Sequence, residues 1–82
     1  MKKNILITGA AGGIGSEIAS YASQQGYRVG LMDSDHEKLK EIESKVENSV
    51  SLPTDITKEE SVNEALSLFG ETPDALVNCA GI

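Results

Sequence analysis

Short apolar runs alternate along this chain with stretches in which apolar residues recur every three or four positions. "NILIT" (Asn4 to Thr8) is a compact, β-branched run closed by glycine, which predicts a buried strand. From Gly13 to Gln25, Ile14, Ile18 and Ala22 recur at intervals of four and Gly26 follows, predicting a helix with a glycine C-cap. "YRVGLMD" (Tyr27 to Asp33) predicts a second strand ending in a carboxylate. The segment from Ser34 to Val46 predicts a second helix, with Ser34 or Asp35 as N-cap and Leu39, Ile42 and Val46 on one face. A third strand follows over Ser49 to Thr54. Thr57 and Glu60 have capping-box spacing and open a third helix with Val62, Ala65, Leu66 and Phe69 on one stripe. Gly70 and Pro73 stop that helix, and "DALVNCAGI" predicts a fourth strand running to the last residue.

The order is therefore β-α-β-α-β-α-β. Such alternation implies a parallel sheet with right-handed crossovers. The near-continuous apolar cores "ILI" and "ALV" agree, because parallel strands are covered on both faces. No repeat, low-complexity linker or domain boundary interrupts the pattern, so residues 1 to 82 read as one unit.

Composition narrows the class. Hydrophobic residues make up 39% of the chain and charged ones 24%, as in a soluble globular domain. A net charge of -6 argues against nucleic acid as a partner, since phosphates need a basic patch. No apolar run reaches the roughly 20 residues of a membrane helix, and glycines interrupt the opening segment where a signal peptide would continue. A single cysteine, Cys79, excludes an internal disulfide and fits a reducing cytoplasm. Cys79 reads as an inert core thiol and His36 as a solvated surface residue, and no metal site is predicted.

Candidate chemistry begins where the first strand meets the first helix. Gly9, Gly12, Gly13 and Gly15 crowd a position where a tight turn presents free N–H groups and the positive end of a helix dipole. That is a ready anion site, and a dinucleotide pyrophosphate can approach it only where side chains are missing. A glycine-rich turn without a ligand is the plainer alternative. The spacing is neither G-x-G-x-x-G nor a Walker loop, which would need a Lys-Ser/Thr pair after its last glycine. Asp33 lies eighteen residues after Gly15 and twenty-four after Gly9, bracketing the spacing of about 20 at which a carboxylate meets the adenosine ribose hydroxyls. It could instead cap the next helix.

Thr8, Gly9, Gly13 and Gly15 make T-G-x-x-x-G-x-G, which resembles the cofactor-binding motif of the short-chain dehydrogenase/reductase family. Gly9, Gly12 and Gly15 also make G-x-x-G-x-x-G, similar to the extended branch of that family. "LVNCAGI" resembles the family's N-N-A-G strand, with Cys79 in place of the second asparagine, and this favours the ordinary branch.

The resemblance implies a Rossmann-type, three-layer α/β fold with strand order 3-2-1-4, helices one and two on one face and helix three alone on the other. It implies a dinucleotide held by Thr8, Gly9, Ala11, Gly12, Gly13, Ile14 and Gly15, with Asp33 on the ribose. NAD is favoured over NADP, because Asp33 would repel the extra phosphate and basic residues are replaced by Gly12 and Ser34. Asp55, which on its own residues is equally an Asx turn leading to Thr57, is assigned by the resemblance to the adenine amino group, with Ile56 lining that pocket. Asn78, Ala80 and Gly81 would pass the ribose and nicotinamide side, although small residues also suit a packed strand.

Members of the family act through a serine and a Tyr-x-x-x-Lys. Here Tyr21 is followed four residues on by Gln25, and Tyr27 by Leu31. The chain therefore reads as the amino-terminal, NAD-binding portion of an oxidoreductase acting on an alcohol or carbonyl, inactive alone. Its fourth strand is expected to be a bare edge beside an exposed apolar patch, giving self-association. A stand-alone nucleotide-binding module and an S-adenosylmethionine-binding domain are the competing readings.

Overall fold

A computed structural model describes residues 3–79. Four strands and three helices alternate: β1 (Asn4–Thr8), α1 (Gly13–Gln24), β2 (Arg28–Asp33), α2 (His36–Lys45), β3 (Ser49–Pro53), α3 (Glu59–Phe69) and β4 (Ala75–Asn78). The strands form one parallel sheet in the order β3-β2-β1-β4. This is the Rossmann-type arrangement the alternation and the glycine motif imply. Beyond Cys79, the expected continuation of the fourth strand lies outside the described residues.

The period-2 alternation of the strands feeds two separate cores. Ile5, Ile7, Val29 and Leu31 point to one face and pack with Ala19 and Ala22 of α1, Leu39 and Ile42 of α2, and Val46 just after it. Leu6, Met32 and Leu52 point to the other and pack with Ala65 and Phe69 of α3. Helices α1 and α2 therefore share one face, and α3 stands alone on the other. Gly30 makes room for α3, since a Cβ there would come within 3.0 Å of Phe69 Cε1 and Leu52 Cδ1.

With two helices on one face and one on the other, the sheet is covered unevenly. Ala75 and Val77 of β4 join the α1/α2 core. Leu76, in register with Leu6, faces the α3 side and is 63% exposed. The two sheet edges also differ. On β3 the Glu43 carboxylate accepts the N–H of Ser51 at 2.8 Å, and Pro53 has no N–H to offer. Among the described residues no strand pairs with the outer side of β4.

Three local expectations are corrected. Ile14 is 58% exposed, and the buried stripe of α1 is Gly15, Ala19 and Ala22. The shift arises because Gly15 is pressed against the turn, where a Cβ would overlap Gly9 O and lie 2.9 Å from Ala10 Cα. The Thr57–Glu60 capping box does not form: α3 has Lys58 as N-cap with no side-chain cap, because the Thr57 hydroxyl binds Asp55 Oδ1 at 2.6 Å. Leu66 is 39% exposed at the margin of the α3 stripe, since Ala65 and Phe69 alone reach the sheet from that turn. Asp35, rather than Ser34, caps α2 by accepting the N–H of Lys38.

Candidate functional site: a cleft at the carboxyl ends of the strands

Beta strands in a parallel sheet deliver their carboxyl ends to one rim, and a crevice opens where the chain order reverses. Here that reversal lies between β1 and β4. The rim holds a cleft of about 400 Å³, within the range of small-ligand sites, lined by Gly9, Gly12, Asp33, Asp55, Ile56 and Cys79 among others.

The glycines of the turn serve different physical ends. Gly9 has φ 68°, a left-handed conformation costly for a residue with a side chain. Gly15 is needed for packing, as described above. Gly12 and Gly13 have neither reason. A Cβ on Gly12 would meet only Gly9 O, at 3.4 Å, and one on Gly13 would find nothing within 4 Å. A glycine at the first position of a helix costs propensity, so an open Gly13 leaves room for something outside the chain. The N-cap of α1 is Gly12, with no side-chain cap. Among the described residues the N–H groups of Gly13, Ile14 and Gly15 find no acceptor, while Ser16 N–H is the first to close a turn, onto Gly12 O. Three donors at a positive helix end, beside vacant space, suit an anion. Ile14 is exposed beside these donors and does not line the cleft.

Asp33 ends β2 on the cleft. Its Oδ2 accepts the N–H of Ala11 at 3.0 Å, and its Oδ1 accepts the N–H of Asp35 at 3.0 Å. The carboxylate thus faces the turn. It does not cap α2, which Asp35 caps instead.

Asp55 sits across the cleft in an Asx turn: Oδ1 accepts both the N–H of Thr57, at 3.0 Å, and its hydroxyl. These two bonds, with a smaller contribution from Lys58, hold the carboxyl below its ordinary value of 3.8. The backbone N–H of Asp55 donates to Ser61 Oγ at 2.7 Å, so the first turn of α3 fixes this loop. Ile56 is 49% exposed beside it and adds an apolar side chain to the lining.

At the reversal point the Thr8 hydroxyl donates to Asn78 Oδ1 at 2.7 Å, and Cys79 N–H donates to Thr8 O at 3.1 Å. This joins the ends of β1 and β4. Cys79 is half-buried: it packs against the α1/α2 core, as its reading as a core thiol expects, and also lines the cleft. Ala80 and Gly81 lie outside the described residues. The structure therefore gathers Gly9, Gly12, Asp33, Asp55 and Ile56 around one cleft.

Sequence reasoning missed Ser34, Thr54, Thr57 and Ser61 as parts of this site. Thr57 carries a signal, a hydroxyl two residues after Asp55, which also fits a helix cap; Ser61, six residues on, carries none in the local pattern. Ser34 and Thr54 each directly follow the end of a rim strand, which is the only hint they carry. Tyr21 and Tyr27 stand with Lys3 around a depression at the opposite end of the sheet. Among the described residues no group of three or more His, Cys, Asp or Glu could hold a metal, and no helix is long and apolar enough to cross a membrane.

Comparison with known proteins gives the same picture. The family model described as short chain dehydrogenase matches residues 3–82. A 3-oxoacyl-[acyl-carrier-protein] reductase of Staphylococcus epidermidis is 36% identical over an alignment covering 100% of this chain and 37% of that protein. Among solved structures, a 3-oxoacyl-[acyl-carrier protein] reductase of Brucella melitensis with bound NAD superposes with a TM-score of 0.91 at 29% identity, over 98% of this chain and 32% of its own. A variant of actinorhodin polyketide ketoreductase with NADPH superposes with a TM-score of 0.93 at 26% identity, over 99% of this chain and 34% of its own. The chain thus spans about a third of the length of these relatives.

Proposed function

The chain belongs to the short-chain dehydrogenase family, and on that premise we propose that it forms the NAD-binding part of an oxidoreductase acting on an alcohol or carbonyl. The observation that carries this reading is the vacant space over Gly13 beside the unpartnered N–H groups of Gly13, Ile14 and Gly15. A diphosphate bridge supplies the negative charge those donors lack. Asp33 then faces the adenosine ribose, while Asp55, Ile56 and Ser34 offer a polar-apolar pocket to the adenine. Asn78, at the end of β4, would then face the nicotinamide side. When bound, the nicotinamide would give or take the hydride.

NAD is preferred over NADP in this reading. The described lining contains two aspartates and no lysine or arginine. An extra phosphate beside Asp33 meets repulsion and loses a charged hydrogen bond, worth about 1.5–3 kcal/mol, or roughly ten- to hundredfold in affinity. Neither tyrosine of the chain reaches the cleft, so these residues bind dinucleotide without turning substrate over.

Titration of the chain with NAD, NADP and S-adenosylmethionine by calorimetry tests the proposal. Binding of NAD at least tenfold tighter than NADP is expected. Tighter binding of S-adenosylmethionine, or no binding of either dinucleotide, would overturn it.

A further inference from the structure

The carboxylate of Asp33 is engaged from two sides before any ligand arrives. Oδ2 holds the N–H of Ala11, in the middle of the glycine turn, and Oδ1 holds the N–H of Asp35, at the entry to α2. Residues 11 and 33 are otherwise tied only through the sheet, where Ala10 N–H donates to Met32 O at 3.1 Å. The two bonds lie side by side. One fixes where the turn leaves the sheet, and the other fixes how residue 11 is directed from there.

At its far end the segment Ala11–Gly12–Gly13 is held by α1, where Ser16 donates its N–H to Gly12 O at 2.9 Å and its hydroxyl to Gly13 O at 3.1 Å, and at its near end the backbone N–H of Ala11 is held by Asp33. Within it, Gly12 N–H bonds to Gly9 O at 3.1 Å, Gly12 is exposed, and Gly13 has open space where a side chain would be. Two consecutive glycines give the backbone wide freedom. Yet the three N–H groups that follow can converge on an anion only if this stretch is held in one conformation. A charged acceptor makes a stronger hydrogen bond than a neutral one, and Asp33 supplies it.

We propose that Asp33 is a positioning residue for the glycine turn as well as a ribose contact, so that its carboxylate orders the phosphate-binding amides through Ala11. A carboxylate can accept several bonds, so the ribose hydroxyls need not displace Ala11. The consequence bears on cofactor choice: replacing Asp33 to admit NADP also loosens the turn, and affinity for every dinucleotide falls. The ligand half of this inference rests on the dinucleotide reading above.

The test pairs Asp33→Asn with a ligand that has no ribose hydroxyls to offer. An asparagine has one acceptor oxygen and no charge, so Ala11 N–H keeps at most a neutral acceptor and loses the charged one, while the volume is kept. ADP and 2′,3′-dideoxy-ADP are titrated into the chain and into the variant. If Asp33 acts through the ribose alone, dideoxy-ADP binds both proteins equally, and the proposal fails. If Asp33 also positions the turn, dideoxy-ADP binds the variant about tenfold more weakly, the effect expected from one charged hydrogen bond.

Amide hydrogen exchange provides a readout independent of ligand. Ala11 N–H is protected in the parent chain and exchanges at least tenfold faster in the variant. The N–H groups of Ile7 and Leu31 stay protected in both, which shows that the fold is intact. A fast-exchanging Ala11 in the parent chain overturns the inference whatever the ligands do. A protected Ala11 in a chain that binds neither ligand leaves the positioning bond standing and refutes the dinucleotide reading alone.

Discussion

Arg28 grips Phe69 twice: Nη1 donates to the Phe69 carbonyl at 2.8 Å, and the guanidinium carbon sits 4.3 Å from the centroid of the same residue's ring. The first contact places a cation on the last carbonyl of α3, where the helix dipole is negative. The second is a cation–π pair. Together they fasten the one helix on its face of the sheet to the foot of β2. Arg28→Lys keeps the charge but not the planar fork, and a melt should show it less stable by about 1 kcal/mol. Equal stability of the lysine variant would show that charge alone suffices.

Gly13 and Gly15, two residues apart, should respond oppositely to alanine. At Gly13 the new Cβ meets nothing within 4 Å. Gly13→Ala should therefore leave the chain as stable or up to about 1 kcal/mol more so, while weakening NAD binding at least tenfold. At Gly15 the Cβ overlaps Gly9 O, so Gly15→Ala should destabilise the fold by about 1–3 kcal/mol. Thermal melts beside NAD titrations separate the two roles. Retained NAD affinity in Gly13→Ala would contradict the phosphate cradle.

The Asx turn at Asp55 gives a pH prediction. Its carboxyl lies below the ordinary value because the ionised form accepts two bonds from Thr57. A depressed carboxyl contributes stability that is present above its unfolded value and disappears as the pH falls through the folded one. The loop should therefore loosen only below about pH 4, the ordinary carboxylate range. An NMR titration of Asp55 should give a midpoint below 3.8, and Thr57→Val, which removes the hydroxyl bond, should move it upward. An unmoved midpoint would show that the hydroxyl bond contributes nothing.

Leu76 and the outer side of β4 should make the chain self-associate. The β3 edge is blocked by Glu43 and Pro53, whereas among the described residues no strand pairs with the outer side of β4, beside a leucine that is 63% exposed. Light scattering should show the apparent mass rising with concentration. Leu76→Lys should shift the chain toward monomer, because a charge on the patch opposes both pairing and burial. A parent chain that stays monomeric at every concentration would refute this.

The β-α alternation, the strand that ends on Asp33 and the glycines that follow Thr8 could all be read from residue order, because they arise from neighbours a few positions apart. Periods of 2 and 3.6 are local properties of the backbone, and they set the order of elements and hence the parallel sheet. What the sequence could not decide was which of two uses a polar or apolar side chain would take. Thr57 could cap α3 or hold Asp55, and the backbone path between them gave its hydroxyl to the carboxylate. Ile14 continues the helical apolar pattern, yet with Gly15 packed against the turn its side chain faces solvent. The bond from Ala11 to Asp33 joins residues twenty-two positions apart, and only the pairing of β1 with β2 brings them within 3.0 Å. Local chemistry chose the elements; contacts between distant residues chose the partner of each side chain at the cleft.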